Sequence, residues 1–236
     1  MAKSNREFVS LINNSLNAIS DDVWVSPKYI LDLGKDVLAD FLKKESESRR
    51  ITNASEGWSE LDCLKMIQVP INECAELDTH LCTTLMRTKD KLPETFTGYY
   101  GNIIKTVASL NFGQFYDPVR SPRVWRDIQN REFQDKTIKY YFFINGYIYI
   151  PNSDVESIRV EAYFQNKWEV DAYNKKNCES CKQGCIKPLD YEFVAPEYLL
   201  SAVQTEVINK ILVRFKIPPD NLIDNNSFQK TEQKQQ

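Results

Sequence analysis

The sequence is short of glycine and almost without histidine. Its seven glycines among 236 residues form neither G-x-G-x-x-G nor G-x-x-x-x-G-K-[ST], so the backbone cradles that hold dinucleotides and nucleoside triphosphates are excluded. His80 is the only imidazole, and any Ser-His-Asp or Cys-His pair would have to use it. Cys82 stands two residues away, a spacing that on a helix does not bring side chains face to face. H-E-x-x-H and G-x-S-x-G are also missing. No apolar run approaches the roughly 20 residues of a membrane span. The opening MAKSNREFVSLINN is charged and then amphipathic, with no signal-peptide h-region. A soluble chain with reduced thiols is therefore expected. A formal net charge of -3 argues against nonspecific wrapping of nucleic acid.

What is present points to an α+β chain. Ser4 and Glu7 form a capping box before Phe8, Leu11, Ile12, Leu16 and Ile19, which predicts a helix over 5–19. Ser26-Pro27 opens a second helix with Ile30, Leu33, Val37 and Phe41 as its apolar stripe. From Trp58 the texture turns to strand: LDCLKMIQVPI up to Pro70, then GNIIKTVASLNFGQF with Gly113 as a turn or bulge. Ser121-Pro122 caps a short helix, VWRDIQN. Asn145-Gly146 between KTIKYYFFI and YIYIP predicts a tight hairpin. SIRVEAYF alternates, with Ile158, Val160, Ala162 and Phe164 on one face and Arg159, Glu161 and Tyr163 on the other, and is expected to extend that hairpin into a meander. NKKNCESCKQGC reads as a polar loop. From Glu197, Leu200, Val203, Val207, Ile211 and Phe215 recur at helical spacing until Pro218-Pro219. The expected organisation is a helical part over 1–50, a β-rich antiparallel domain over 58–194 with its hairpin at 136–151, a helix over 195–217 packing on the first helices, and an extended tail over 218–236, which is poor in core-forming residues.

Three local patterns are candidates for chemistry or binding. Cys178, Cys181 and Cys185, in CESCKQGC, are metal-ligand candidates, but a closed zinc site needs a fourth ligand from elsewhere in the chain. Asp32, Asp36 and Asp40 share i+4 spacing that could hold a divalent cation, but a solvated helix face balanced by Lys28, Lys35 and Lys43 accounts for it. Arg120, Arg123, Arg126, Arg131, Lys136 and Lys139 form a locally basic stretch beside sheet aromatics. That pattern suits a single-strand nucleic-acid platform, a charged flank of a packed sheet, or a subunit interface. No cofactor and no catalytic residue are indicated.

Several stretches together resemble a virion protein of crAss-like bacteriophages: DDVWVSPKYILDLGKDVLADFLKKESESRRI, KTIKYYFFINGYIYIP, SIRVEAYF and CIKPLDYEFVAPEYLLSAVQTEVINKILVRFKI. The family is that of the head-to-tail connector ring proteins, with the portal-proximal ring protein 1 as the nearest match. The resemblance implies a non-enzymatic structural subunit, an adaptor-like helical part and a homo-oligomeric, dodecameric ring. Its implied partners are the portal protein, the other connector ring and tail proteins, and DNA crossing the channel without specific binding. The implied location is the neck of the particle, after synthesis in the host cytoplasm. The alternative is a nucleic-acid-binding module using 120–139. On the ring reading, one apolar face of the 136–151 hairpin serves the domain's own core and the other serves a neighbouring copy.

Overall fold

Residues 4–19, 24–48, 56–70, 85–133, 135, 137–177 and 187–215 are described by a computed structural model. The chain divides into two compact units, Met1–Glu45 with Lys187–Gln236, and Ser46–Ile186. Both helices and a sheet are present, so the class is mixed α and β.

In the first unit the capping box forms as the sequence requires. The Ser4 hydroxyl accepts from the Glu7 N–H at 3.2 Å, and the Ser4 N–H donates to the Glu7 carboxylate at 2.9 Å. Helix α1 (Asn5–Asn17) buries Phe8, Val9, Ile12 and Leu16. Its start is pinned to the segment around the short 3-10 turn Pro188–Asp190. Asn5 donates its N–H to the Tyr191 carbonyl and its side-chain amide to the Pro188 carbonyl, each at 2.7 Å, and Phe8 stacks on Phe193 with centroids 4.0 Å apart.

Helix α2 (Pro27–Glu47) begins after Ser26, whose hydroxyl accepts from the Tyr29 N–H at 3.3 Å. It buries Ile30, Leu31, Gly34, Val37, Leu38 and Leu42. Its stripe is thus rotated from the expected one: Leu33 and Phe41 are only partly buried, because small Gly34 takes the central position under Phe8. The last helix of this unit, Glu197–Phe215, buries Leu199, Leu200, Val203, Val207 and Ile211, and leaves Val213 and Phe215 exposed.

The second unit is a seven-stranded sheet. Its strands are β1 (Ser59–Gln68), β2 (Leu85–Thr88), β5 (Ile104–Ser109), β6 (Tyr116–Pro118), β7 (Lys139–Ile144), β8 (Tyr147–Pro151) and β9 (Ser157–Ala162). A separate ribbon pairs β3 (Thr97–Gly98) with β4 (Gly101–Asn102). The order across the large sheet is β5-β9-β1-β2-β8-β7-β6, antiparallel except for β6 with β7. Its two outer strands are joined by a turn and meet at the Ala108–Phe115 bridge, so the sheet nearly closes on itself. Leu61, Leu64, Val107, Tyr141, Ile148, Ile150, Ile158, Val160 and Phe164 belong to its main core.

Closure depends on β1 changing partners. Its first half pairs with β9, and its end, Met66–Gln68, pairs with β2. The register shifts between Leu61 and Leu64, where Cys63 takes φ 54°. Such a bulge bends a strand from one direction into another. It is clamped by helix α4 (Lys167–Asn177), which follows α3 (Pro122–Gln129). The Asn174 side chain accepts from the Asp62 N–H at 3.2 Å and donates to the Glu60 carbonyl at 3.0 Å.

Four sequence expectations change in this unit. The predicted meander does not form: β9 lies beside β1 and β5, because β2 takes the free edge of β8. Tyr163 does not face out with Arg159 and Glu161. It is fully buried between Trp58 and Phe96, and its hydroxyl donates to the Glu56 carbonyl at 3.0 Å. Residues 167–177, part of which reads as loop, are helical. Both faces of the hairpin are largely covered by the chain's own residues. Its Asn145-Gly146 turn forms with both φ positive, but Phe142 and Tyr149 stack at 5.3 Å and are buried with Val69 and Leu85, while Tyr141, Ile148 and Ile150 fill the main core.

Candidate functional site

The surface feature with the most built structure lies on the outer side of β5, β9 and β1, where a groove of about 450 Å³ opens. At its centre is Arg159, on an outward position of β9. Its guanidinium lies 2.9 Å from Glu60 and 2.9 Å from Asp62, without the alignment of hydrogen bonds, and 4.7 Å from the centroid of Phe112. Lys105 pairs with Glu161 at 2.8 Å and sits 5.4 Å over the Trp58 ring. All these charges keep contact with water, so each pair contributes little to stability. Together they hold long side chains flat against the sheet and leave the aromatic rings as the protruding groups.

The rim of the groove is the turn between β5 and β6. Ser109 and Asn111 lock it from within. The Ser109 hydroxyl donates to the Asn111 side-chain oxygen at 2.8 Å and accepts from the Gln114 N–H at 3.1 Å, and that Asn111 oxygen also accepts from the Gly113 N–H at 3.0 Å. The locked turn forces Phe112 to φ 54°, a region that costs a bulky side chain about 1–2 kcal/mol. Phe112 nonetheless stays 46% exposed, beside Phe115 at 54% and Leu110 at 43%. The strained backbone and the half of the ring left in water make this turn the candidate site.

The sequence candidates fall elsewhere. Cys178, Cys181, Cys185 and His80 lie outside the described residues, as does Lys136. Among the described residues no group of three or more His, Cys, Asp or Glu is placed to hold a metal ion. Asp32, Asp36 and Asp40 lie along α2, where Asp40 stands 3.5 Å from Lys210. Arg120, Arg123 and Arg131 are exposed, Arg126 is half-buried in α3, and Asp127, Glu132 and Asp135 interrupt them. Of the sheet aromatics beside them, Tyr141, Phe142 and Tyr149 are buried, while Tyr140, Phe143 and Tyr147 are half-buried. The site that sequence reasoning missed is the 109–115 turn. Its signal was there, in three large apolar residues (Leu110, Phe112 and Phe115) crowded into a glycine-containing turn.

No helix of the described residues is long and apolar enough to cross a membrane. No curated protein matches the chain. A family model described as "Phage tail ring protein 2", from the crAss ring proteins, matches residues 7–233. It is ring protein 2 that matches, where the resemblance in sequence singles out ring protein 1. The family is one of structural virion rings, not of enzymes, and with nearly its whole length matched the chain belongs to the phage tail ring protein 2 family of crAss-like phages.

Proposed function

We propose that this ring subunit works in the head-to-tail connector, joining the portal to the tail and surrounding the channel through which DNA leaves the particle. Identical copies meet head to tail, one patch binding a different patch on the next copy, and twelve such contacts close the ring. The observation that carries this reading is the presentation of Phe112 and Phe115 on a locked turn above Arg159. Aromatic residues beside arginine, rigid before contact and rimmed by charge, are the composition of an interface centre. The charges at the groove pair with one another, Arg159 with Glu60 and Asp62 and Lys105 with Glu161. On this reading the helical unit supplies the adaptor-like part of the ring, and DNA passes without sequence-specific contact.

The test is assembly. The purified protein, alone and mixed with portal, is weighed by light scattering and imaged by negative stain, together with a Phe112→Ser/Phe115→Ser double variant. Rings of twelve that bind portal, and their loss in the variant, are expected. A chain that stays monomeric beside portal at high concentration would overturn the proposal, as would rings indifferent to the substitutions.

A further inference from the structure

The closure of the sheet is incomplete for identifiable reasons. Near their turn, β5 and β6 are tied by the Ala108–Phe115 bridge and by the Ser109 N–H donating to the Gln114 carbonyl at 2.9 Å. Farther along, the ladder stops. Pro118 has no N–H to donate, and β5 has an irregular register between Ile104 and Thr106. The strands part there into a cleft of about 470 Å³, within the size range of sites that hold a ligand or short segment. Ile104, Tyr141, Phe143 and Tyr100 give it apolar and aromatic walls, and Arg120 is the one charged residue of its lining. Arg120 is exposed and makes no ion pair among the described residues.

An open strand edge above an apolar slot, with a cation at its mouth, fits an extended segment that carries small aliphatic side chains next to a carboxylate. The chain has such a segment. Beyond Phe215, the end of the last described helix, the sequence runs KIPPDNLIDNNSF, with Leu222-Ile223 between Asp220 and Asp224. Pro218 and Pro219 favour an extended path. Twenty-one residues at roughly 3.3 Å each can reach well past one subunit, and the family match continues to residue 233. We infer that the cleft between β5 and β6 receives residues 220–224 of a second copy, the strand edge and the apolar walls taking Leu222-Ile223 and Arg120 taking an aspartate. Ring closure then includes an arm exchanged between neighbours. This rests on the ring reading but reads out separately from it.

The probe is a fluorescein-labelled synthetic peptide of residues 216–236, titrated by anisotropy into the dilute full chain, into Arg120→Glu and into Ile104→Lys. Thermal melts check that both variants are folded, and the exposed, ion-pair-free position of Arg120 makes its substitution harmless to the fold. Binding to the unaltered chain is expected, with affinity roughly tenfold weaker for Arg120→Glu and recovered by a peptide bearing Asp220→Lys and Asp224→Lys. Negative stain of the same proteins at high concentration reports ring formation independently. Rings without peptide binding, or binding equal in all three proteins, overturn the inference while the ring reading stands. Charge-dependent peptide binding without rings leaves the inference and removes the ring reading. Protection of 104–107 from hydrogen exchange only when portal is added would show a different occupant and also overturn it.

Discussion

Replacing Gly57 by alanine tests how the groove is held. Gly57 has φ 85°, and a Cβ there would overlap the Tyr163 hydroxyl, with the ring carbon behind it also too close. An alanine in that backbone region costs about 1–2 kcal/mol. The overlap adds about 1–3 kcal/mol, because the fully buried Tyr163 ring is wedged edge-on between Trp58 and Phe96 and has nowhere to move. Gly57→Ala is therefore expected to destabilise the chain by about 2–5 kcal/mol. Tyr163→Phe alone loses one hydrogen bond, to the Glu56 carbonyl, worth about 1 kcal/mol. The hydroxyl is the nearest overlapping atom, so the two changes together should cost about 1 kcal/mol less than their sum. Urea unfolding of the four proteins of this cycle, followed by circular dichroism, measures both quantities. Strict additivity within about 0.5 kcal/mol, or a Gly57→Ala protein as stable as the parent, would refute the claim that this glycine exists to admit Tyr163. Trp58 packs on Tyr163 and forms a wall of the groove, so the same variant should also assemble poorly.

Phe112→Gly relieves the strained φ but removes the ring over Arg159; stability within about 1 kcal/mol of the parent is expected, with ring formation needing at least roughly tenfold more protein by light scattering. Asn174→Ala frees the bulge in β1 and should cost about 1–2 kcal/mol in urea unfolding, with faster hydrogen exchange at the Asp62 amide. Burial, and then the Asp117 charge, hold the Tyr141 phenol neutral well above its usual range. A folded-state pKa raised above the unfolded value of about 10 leaves stability intact below pH 10 and removes it as pH rises beyond that. Tyr141→Phe should flatten the fall in stability measured between pH 10 and 11. Some slope should remain from Tyr116, whose phenol is likewise raised, mainly by burial.

Sequence-local signals located most helix starts. Ser4 with Glu7 and Ser121 with Pro122 cap α1 and α3 where they stand, because a cap needs only residues three apart. Asn166, whose amide reaches Glu169 at 2.7 Å, carried the same kind of signal for α4. That helix nonetheless has almost no apolar stripe, Val170 being its main buried anchor, so no periodicity supports the cap. The apolar character of the 136–151 hairpin was equally plain, but its reason was not. Greasy faces are visible in sequence, whereas the partner that covers them is a long-range choice, and here it comes largely from the same chain.

By itself the sequence determined the mixed class, the helix caps, the Asn145-Gly146 turn, the inward face of β9 and the lack of any familiar cofactor motif, since each depends on residue type over a few neighbouring positions. The tertiary structure alone decided that β9 crosses to β1, that a bulge at Cys63 breaks the register of β1 against β9, that Tyr163 turns inward, and that Phe112 stands over Arg159. Those are contacts between residues tens of positions apart. They are settled by which strand edges and apolar faces remain free once the others have paired, and no local pattern records that competition.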